Sequence, residues 1–128
     1  MQRIKKIGKL SGVNFKAMNV LNVKNSTTKY GNKWCIIDGI KFQSIKEGVY
    51  YQYLKSEKLQ GRVKDFKRQV TFRLEVNGIL VCRYIADFVV TYKDGSKKVI
   101  DVKGFKTDVY KLKKSLMFAV NGIKIIEV

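Results

Sequence analysis

The chain has 128 residues, enough for one domain whose core needs no covalent staples. Its 27 Lys+Arg against 10 Asp+Glu leave a formal charge of +17, which calls for a polyanionic partner: nucleic acid first, an anionic membrane surface second. With no histidine and only Cys35 and Cys82, set far apart, it can build neither a His-dependent triad nor a zinc site, and the cysteines read as small buried apolar residues.

In chain order, residues 1–33 hold eight Lys+Arg and no acid, the first carboxylate being Asp38. They read as a basic arm suited to a phosphate backbone or, more simply, as a solvated terminus, with the domain proper over 34–128. "WCIIDGIKF" predicts a hairpin about Asp38-Gly39. "SIKEGVYYQYLKSEKLQG" predicts a helix capped by Ser44 and stopped by Gly61, with Ile45, Val49, Tyr53 and Leu54 on its buried face. "QVTFRLEV" alternates, Asn77-Gly78 turns the chain, and "ILVCRYIADFVVTY" predicts a long, largely buried strand. After Asp94-Gly95, "SKKVIDVK" is a further strand. "DVYKLKKSLMFAV" predicts a helix whose apolar face is Val109, Leu112, Leu116 and Ala119 or Val120, ended by Asn121-Gly122 before a last strand "IKIIEV". The expected fold is α/β, a central mixed sheet flanked by helices in the order β-hairpin, α, β, β, β, α, β.

Asp87 and Asp101 flank the Asp94-Gly95 turn, and the turn type decides whether they cooperate. A two-residue turn pairs Asp87 with Val102 and sends the aspartates to opposite faces. A three-residue loop, Lys93-Asp94-Gly95 with Gly95 left-handed, pairs Asp87 with Asp101 on one face; the sequence permits both. A same-face pair would repel unless protonated or bridged by a cation, and all-oxygen ligands favour Mg²⁺ or Mn²⁺. In that arrangement Asp87, Asp101 and the carbonyl of Val102 would hold the metal, with Lys103, on the face of Asp101, beside the reacting phosphodiester.

Asp87, then "DVK" at Asp101-Val102-Lys103 across a hairpin, with Glu47 on a preceding helix, resembles the PD-(D/E)XK nuclease signature, although Ala86 replaces the usual proline. "DGIKFQSIKEGVYYQYL", "RYIADFVV" and "DVKGFKT" further resemble a family of small phage and prophage proteins of that superfamily, over nearly the whole chain after the arm. The resemblance implies a restriction-endonuclease-like core, Glu47, Asp87 and Asp101 as metal ligands, and Lys103 as a catalytic assistant. It also implies a deoxyribonuclease of the kind that cuts branched DNA such as Holliday junctions.

Each residue has a duller explanation. Glu47 lies three residues after Ser44, the spacing of a capping box. Asp87 could sit in a structural ion pair, and Asp101 and Lys103 on the polar edge of a half-exposed strand. Lys106, Lys111, Lys113 and Lys114 on or near the second helix are candidate phosphate contacts, or simply its solvated face. Tyr50, Tyr51 and Tyr53 are candidates for base stacking, with core packing favoured for Tyr53. No apolar run reaches the roughly 18 residues of a spanning helix and no signal-peptide core follows the basic start, so a cytoplasmic protein without a membrane is expected. Symmetrical junction cutting would need a homodimer. The competing readings are a non-catalytic basic nucleic-acid-binding protein and a phage-encoded inhibitor docking a host protein through an edge strand.

Overall fold

The computed structural model describes residues 26–27 and 33–128, so the arm expected over 1–33 lies outside the described residues except for Ser26, Thr27 and Lys33. Strands β1 (Ser26–Thr27), β2 (Lys33–Ile37) and β3 (Ile40–Phe42) form a small antiparallel sheet. Asp38 and Gly39, at φ 54° and 76°, make the tight turn between β2 and β3, the left-handed pair that matches strand twist. Helix α1 (Ile45–Leu59) leads into β4 (Val63–Val76), β5 (Ile79–Tyr92) and β6 (Lys97–Asp101), then α2 (Asp108–Asn121) and β7 (Ile126–Glu127). The main sheet runs β4-β5-β6-β7, antiparallel through β6 and parallel between β6 and β7. The α/β class, the mixed sheet and the element order follow the sequence reading, except that the first hairpin builds its own sheet.

Local chemistry sets the helix ends. Ser44 Oγ accepts from the Glu47 N–H at 3.0 Å, and Thr107 Oγ1 accepts from the Tyr110 N–H at 3.1 Å, each satisfying a donor orphaned at a helix start. Gly122 at φ 68° closes α2 in the left-handed conformation that glycine adopts without strain.

The helical faces depart from expectation. α1 buries Glu47, Gly48, Tyr50 and Leu54, and of the expected stripe only Leu54 is fully buried. A Cβ on Gly48 would lie 2.7 Å from Cys35 Sγ and 2.8 Å from Ile37 Cδ1, so the missing side chain lets α1 settle onto β2 along that line. Tyr50 is enclosed in the core, packed on Phe88 with ring centroids 5.4 Å apart, and so is closed to base stacking, while Tyr51 lies half-buried against Phe42 and Phe66. α2 buries Tyr110 and Met117, while Val109 and Leu112 of the expected face are each 62% exposed. Tyr110 fixes this rotation by donating from its hydroxyl to Glu127 Oε2 at 2.7 Å.

The main sheet differs in two respects. β4 begins at Val63 rather than near Gln69, because pairing with β5 recruits the charged stretch "VKDFKR" that has no apolar period of its own. β5 is buried on one side only, and only from Tyr84 onward: Ile79, Val81 and Ile85 are exposed, whereas Tyr84, Ala86, Phe88 and Val90 are buried. Two clusters form the core, one under α1 with Phe88, Val90 and Ile100, the other under α2 with Leu74, Tyr84, Ala86 and Val99. Between Ala86 and Phe88, two residues apart on one strand, the inward side therefore changes helix. No helix among the described residues is long and apolar enough to cross a membrane.

Candidate functional site

The β5–β6 turn resolves the choice left open by the sequence. Tyr92 N–H donates to Ser96 O at 2.8 Å, leaving the three-residue loop Lys93-Asp94-Gly95, with Gly95 at φ 88°. Asp94 Oδ1 accepts from the Ser96 N–H and hydroxyl, at 2.9 and 2.6 Å, stiffening that loop. The ladder runs from Thr91↔Lys97 to Phe88↔Ile100, and its next step sets Asp87 opposite Asp101.

Asp101 is buried and Asp87 half-buried. Asp101 is 1% exposed and takes a hydrogen bond from the Tyr84 hydroxyl at Oδ2, 2.5 Å away. Asp87 Oδ2 accepts from the Val102 N–H at 2.9 Å, and its carboxyl is in hydrogen-bonding reach of Asp101. Burial first, then the Asp101 carboxyl and the charge of Glu47, hold the Asp87 pKa well above the usual carboxylate range. Burial likewise raises Glu47, against the pull of the Arg68 guanidinium.

Glu47 is buried at 6% exposure, its backbone in the cap while Oε2 accepts from Gln69 Nε2 at 3.3 Å. Thus only the N–H half of the capping box is made by these groups, and the carboxylate turns toward the sheet. Gln69 Nε2 also lies 3.4 Å from Asp87 Oδ1, linking α1 to the aspartate pair. Lys103 Nζ is 3.4 Å from Asp101 Oδ1 and 4.1 Å from the Tyr110 ring centroid, a cation held by a carboxylate and an aromatic face. Lys46 Nζ donates to the Lys103 carbonyl at 3.2 Å.

The structure thus gathers Glu47, Asp87, Asp101, Val102 and Lys103, from α1, β5 and the end of β6. As they stand, the carboxylates do not form a group of three placed to hold a metal ion, among the described residues. The chemistry of the donor set nevertheless fits a hard divalent cation: a half-buried and a buried carboxyl within hydrogen-bonding reach need either a shared proton or a positive ion between them, and the donors are all oxygen.

The lysines on and just before α2 divide. Lys106 and Lys114 both pair with Glu127, at 2.9 and 3.1 Å, so the structure assigns them an internal partner that the sequence reading did not supply. Burial pushes Glu127 up, but Lys106, Tyr110 and Lys114 outweigh it and hold the carboxyl at about 2. Lys111 is exposed and Lys113 half-buried. Gln69, Tyr84 and Glu127 were missed by sequence reasoning. Tyr84 and Glu127 carry no periodic signal, and Gln69 looked like the first residue of an alternating strand.

A family model described as "Protein of unknown function (DUF1064)" matches residues 27–124. No curated protein and no solved structure matches the chain. The matched span holds the first hairpin, both helices, the aspartate pair and Lys103, and covers well over half the sequence, so the chain belongs to the DUF1064 family.

Proposed function

We propose that the chain is a metal-dependent endodeoxyribonuclease with a restriction-endonuclease-like core, hydrolysing phosphodiester bonds in branched DNA. The observation that carries this reading is the Asp87–Asp101 pair, one carboxyl half-buried and one buried, within hydrogen-bonding reach of each other and with a lysine ammonium 3.4 Å from the buried one. Ionised together, such carboxyls repel, and a divalent cation turns that repulsion into binding. Glu47, Asp87, Asp101 and the carbonyl of Val102 would hold Mg²⁺, with Mn²⁺ as a substitute. When bound, the ion lowers the pKa of a coordinated water and polarises the scissile phosphate.

The chain's own groups do the rest. Tyr84 fixes one oxygen of Asp101, and the Val102 N–H fixes one of Asp87. Lys103, held against Asp101 and the Tyr110 ring, would supply the charge that neutralises that developing on a phosphate. Exposed Lys111 contacts phosphate oxygens nearby. Selection by DNA shape belongs to this proposal, and symmetrical cutting of a junction would use two copies of the chain.

The test is cleavage of labelled four-way junction, flap and linear duplex DNA with Mg²⁺, Mn²⁺ or EDTA, comparing the protein with Asp101→Asn, which can still accept from Tyr84. Metal-dependent cutting lost in the variant supports the reading. Salt-sensitive binding without cutting, equal in both proteins, would overturn it in favour of a non-catalytic nucleic-acid-binding protein.

A further inference from the structure

Three described residues other than glycine have positive φ: Asp38 at 54°, Asn77 at 53° and Gln69 at 52°. Asp38 and Asn77 begin Asx-Gly hairpin turns, where left-handed backbone is at home. Gln69 lies inside the 14-residue strand β4, flanked by the pairs Arg68↔Phe88 and Val70↔Ala86 and therefore opposite Asp87. Neither its residue type nor its place favours that conformation, and strain of this kind persists only where the surroundings over-determine it.

Two features coincide at this residue. The inward side of the β4–β5 hairpin changes here from the α2 cluster (Leu74, Tyr84, Ala86) to the α1 cluster (Phe88, Val90). The Gln69 amide also stands between a helix carboxylate and a strand carboxylate, 3.3 Å from Glu47 Oε2 and 3.4 Å from Asp87 Oδ1. An amide NH₂ offers two donors without charge, so it can span two carboxylates without the lasting ion pair that a lysine would form in competition with a cation.

We infer that Gln69 is a positioning residue that holds Glu47 toward Asp87 and so prepares the carboxylates for a divalent cation, at the expense of backbone strain in β4. The inference rests on the metal-site reading above.

The experiment uses the full chain and its Gln69→Gly and Gln69→Asn variants, with thermal melting in EDTA and Mn²⁺ titration followed by water proton relaxation. Glycine relieves the strained φ and removes the amide. Asparagine tolerates the φ but is one methylene short of spanning the two carboxylates. The expected result is a Gln69→Gly melting temperature higher by about 3–6 °C in EDTA, with Mn²⁺ affinity weaker by about tenfold or more. Gln69→Asn should also keep or gain stability while losing Mn²⁺ affinity. A merely structural role would lower stability and affinity together. Unchanged Mn²⁺ affinity in Gln69→Gly, or a lower melting temperature in EDTA, would overturn the role of Gln69. If the wild-type chain itself bound no Mn²⁺, the metal-site reading would fall and this inference with it, an outcome distinct from wild-type binding that the glycine variant leaves intact.

Discussion

The Tyr84 hydroxyl donates to Asp101 Oδ2 at 2.5 Å, with both residues buried and 17 positions apart in the chain. This bond ties the middle of β5 to the end of β6 and satisfies a buried carboxyl. Tyr84→Phe leaves that oxygen without its donor and should destabilise the protein by about 1–3 kcal/mol, the cost of an unsatisfied buried acceptor. Equilibrium urea unfolding would measure it, and a change within experimental error would show that Asp101 does not depend on Tyr84.

The aspartate pair sets a pH dependence with a defined sign. The folded pKa of Asp87 is raised above its unfolded value, so its contribution to stability is complete below the usual carboxylate range and is lost as pH rises through the raised value. Glu127 acts oppositely: its folded pKa is depressed to about 2, and its contribution is lost as pH falls toward that value. Metal-free protein should therefore lose stability on the alkaline side. Asp87→Asn should flatten that fall, and Mg²⁺ should stabilise the wild type more as pH rises, because ligands must deprotonate to bind. Melting temperatures across pH in EDTA and in Mg²⁺ would show the two curves converging at low pH.

Gly48 is a packing requirement of α1. Alanine is the better helix former by about 1 kcal/mol, but its methyl would meet Cys35 Sγ at 2.7 Å and Ile37 Cδ1 at 2.8 Å. Overpacking should win, so Gly48→Ala lowers stability by about 1–3 kcal/mol. A rise in melting temperature would show that β2 yields easily.

Glu127 pairs with two partly exposed lysines and so offsets charge they could offer to phosphates. Glu127→Gln should strengthen binding to duplex DNA at low salt and steepen the dependence of log K on log salt by about one to two units, one per lysine that reaches a phosphate. An unchanged slope in a fluorescence-anisotropy titration would place Lys106 and Lys114 off the DNA path.

Turns and caps were legible because a few adjacent residues decide them. Asp38-Gly39 and Asn77-Gly78 adopt left-handed pairs, and Ser44 caps α1 with its hydroxyl. The Asp87–Asp101 juxtaposition was half legible. Sequence reduced it to two turn types, and the Tyr92–Ser96 bond selects one. The buried faces of the helices were not legible, since distant groups set them: Gly48 lets β2 approach α1, and Tyr110 turns α2 toward Glu127. For the same reason Gln69 was invisible, its φ of 52° arising from what faces it across the sheet rather than from its neighbours in sequence.

The parallel strand β7 has a consequence for the order in which the molecule matures. Val128 N–H donates to the Asp101 carbonyl at 3.0 Å, and Lys103 N–H donates to the Val128 carbonyl at 3.2 Å, so residues made after α2 clamp the segment that bears Asp101 and Lys103. A nascent chain can close the β4–β5–β6 meander through near-neighbour turns as it emerges from the ribosome, but it must wait for residues 126–128 before that segment is fixed. Synthesis thus supplies the strands of the scaffold before the strand that clamps the charged centre.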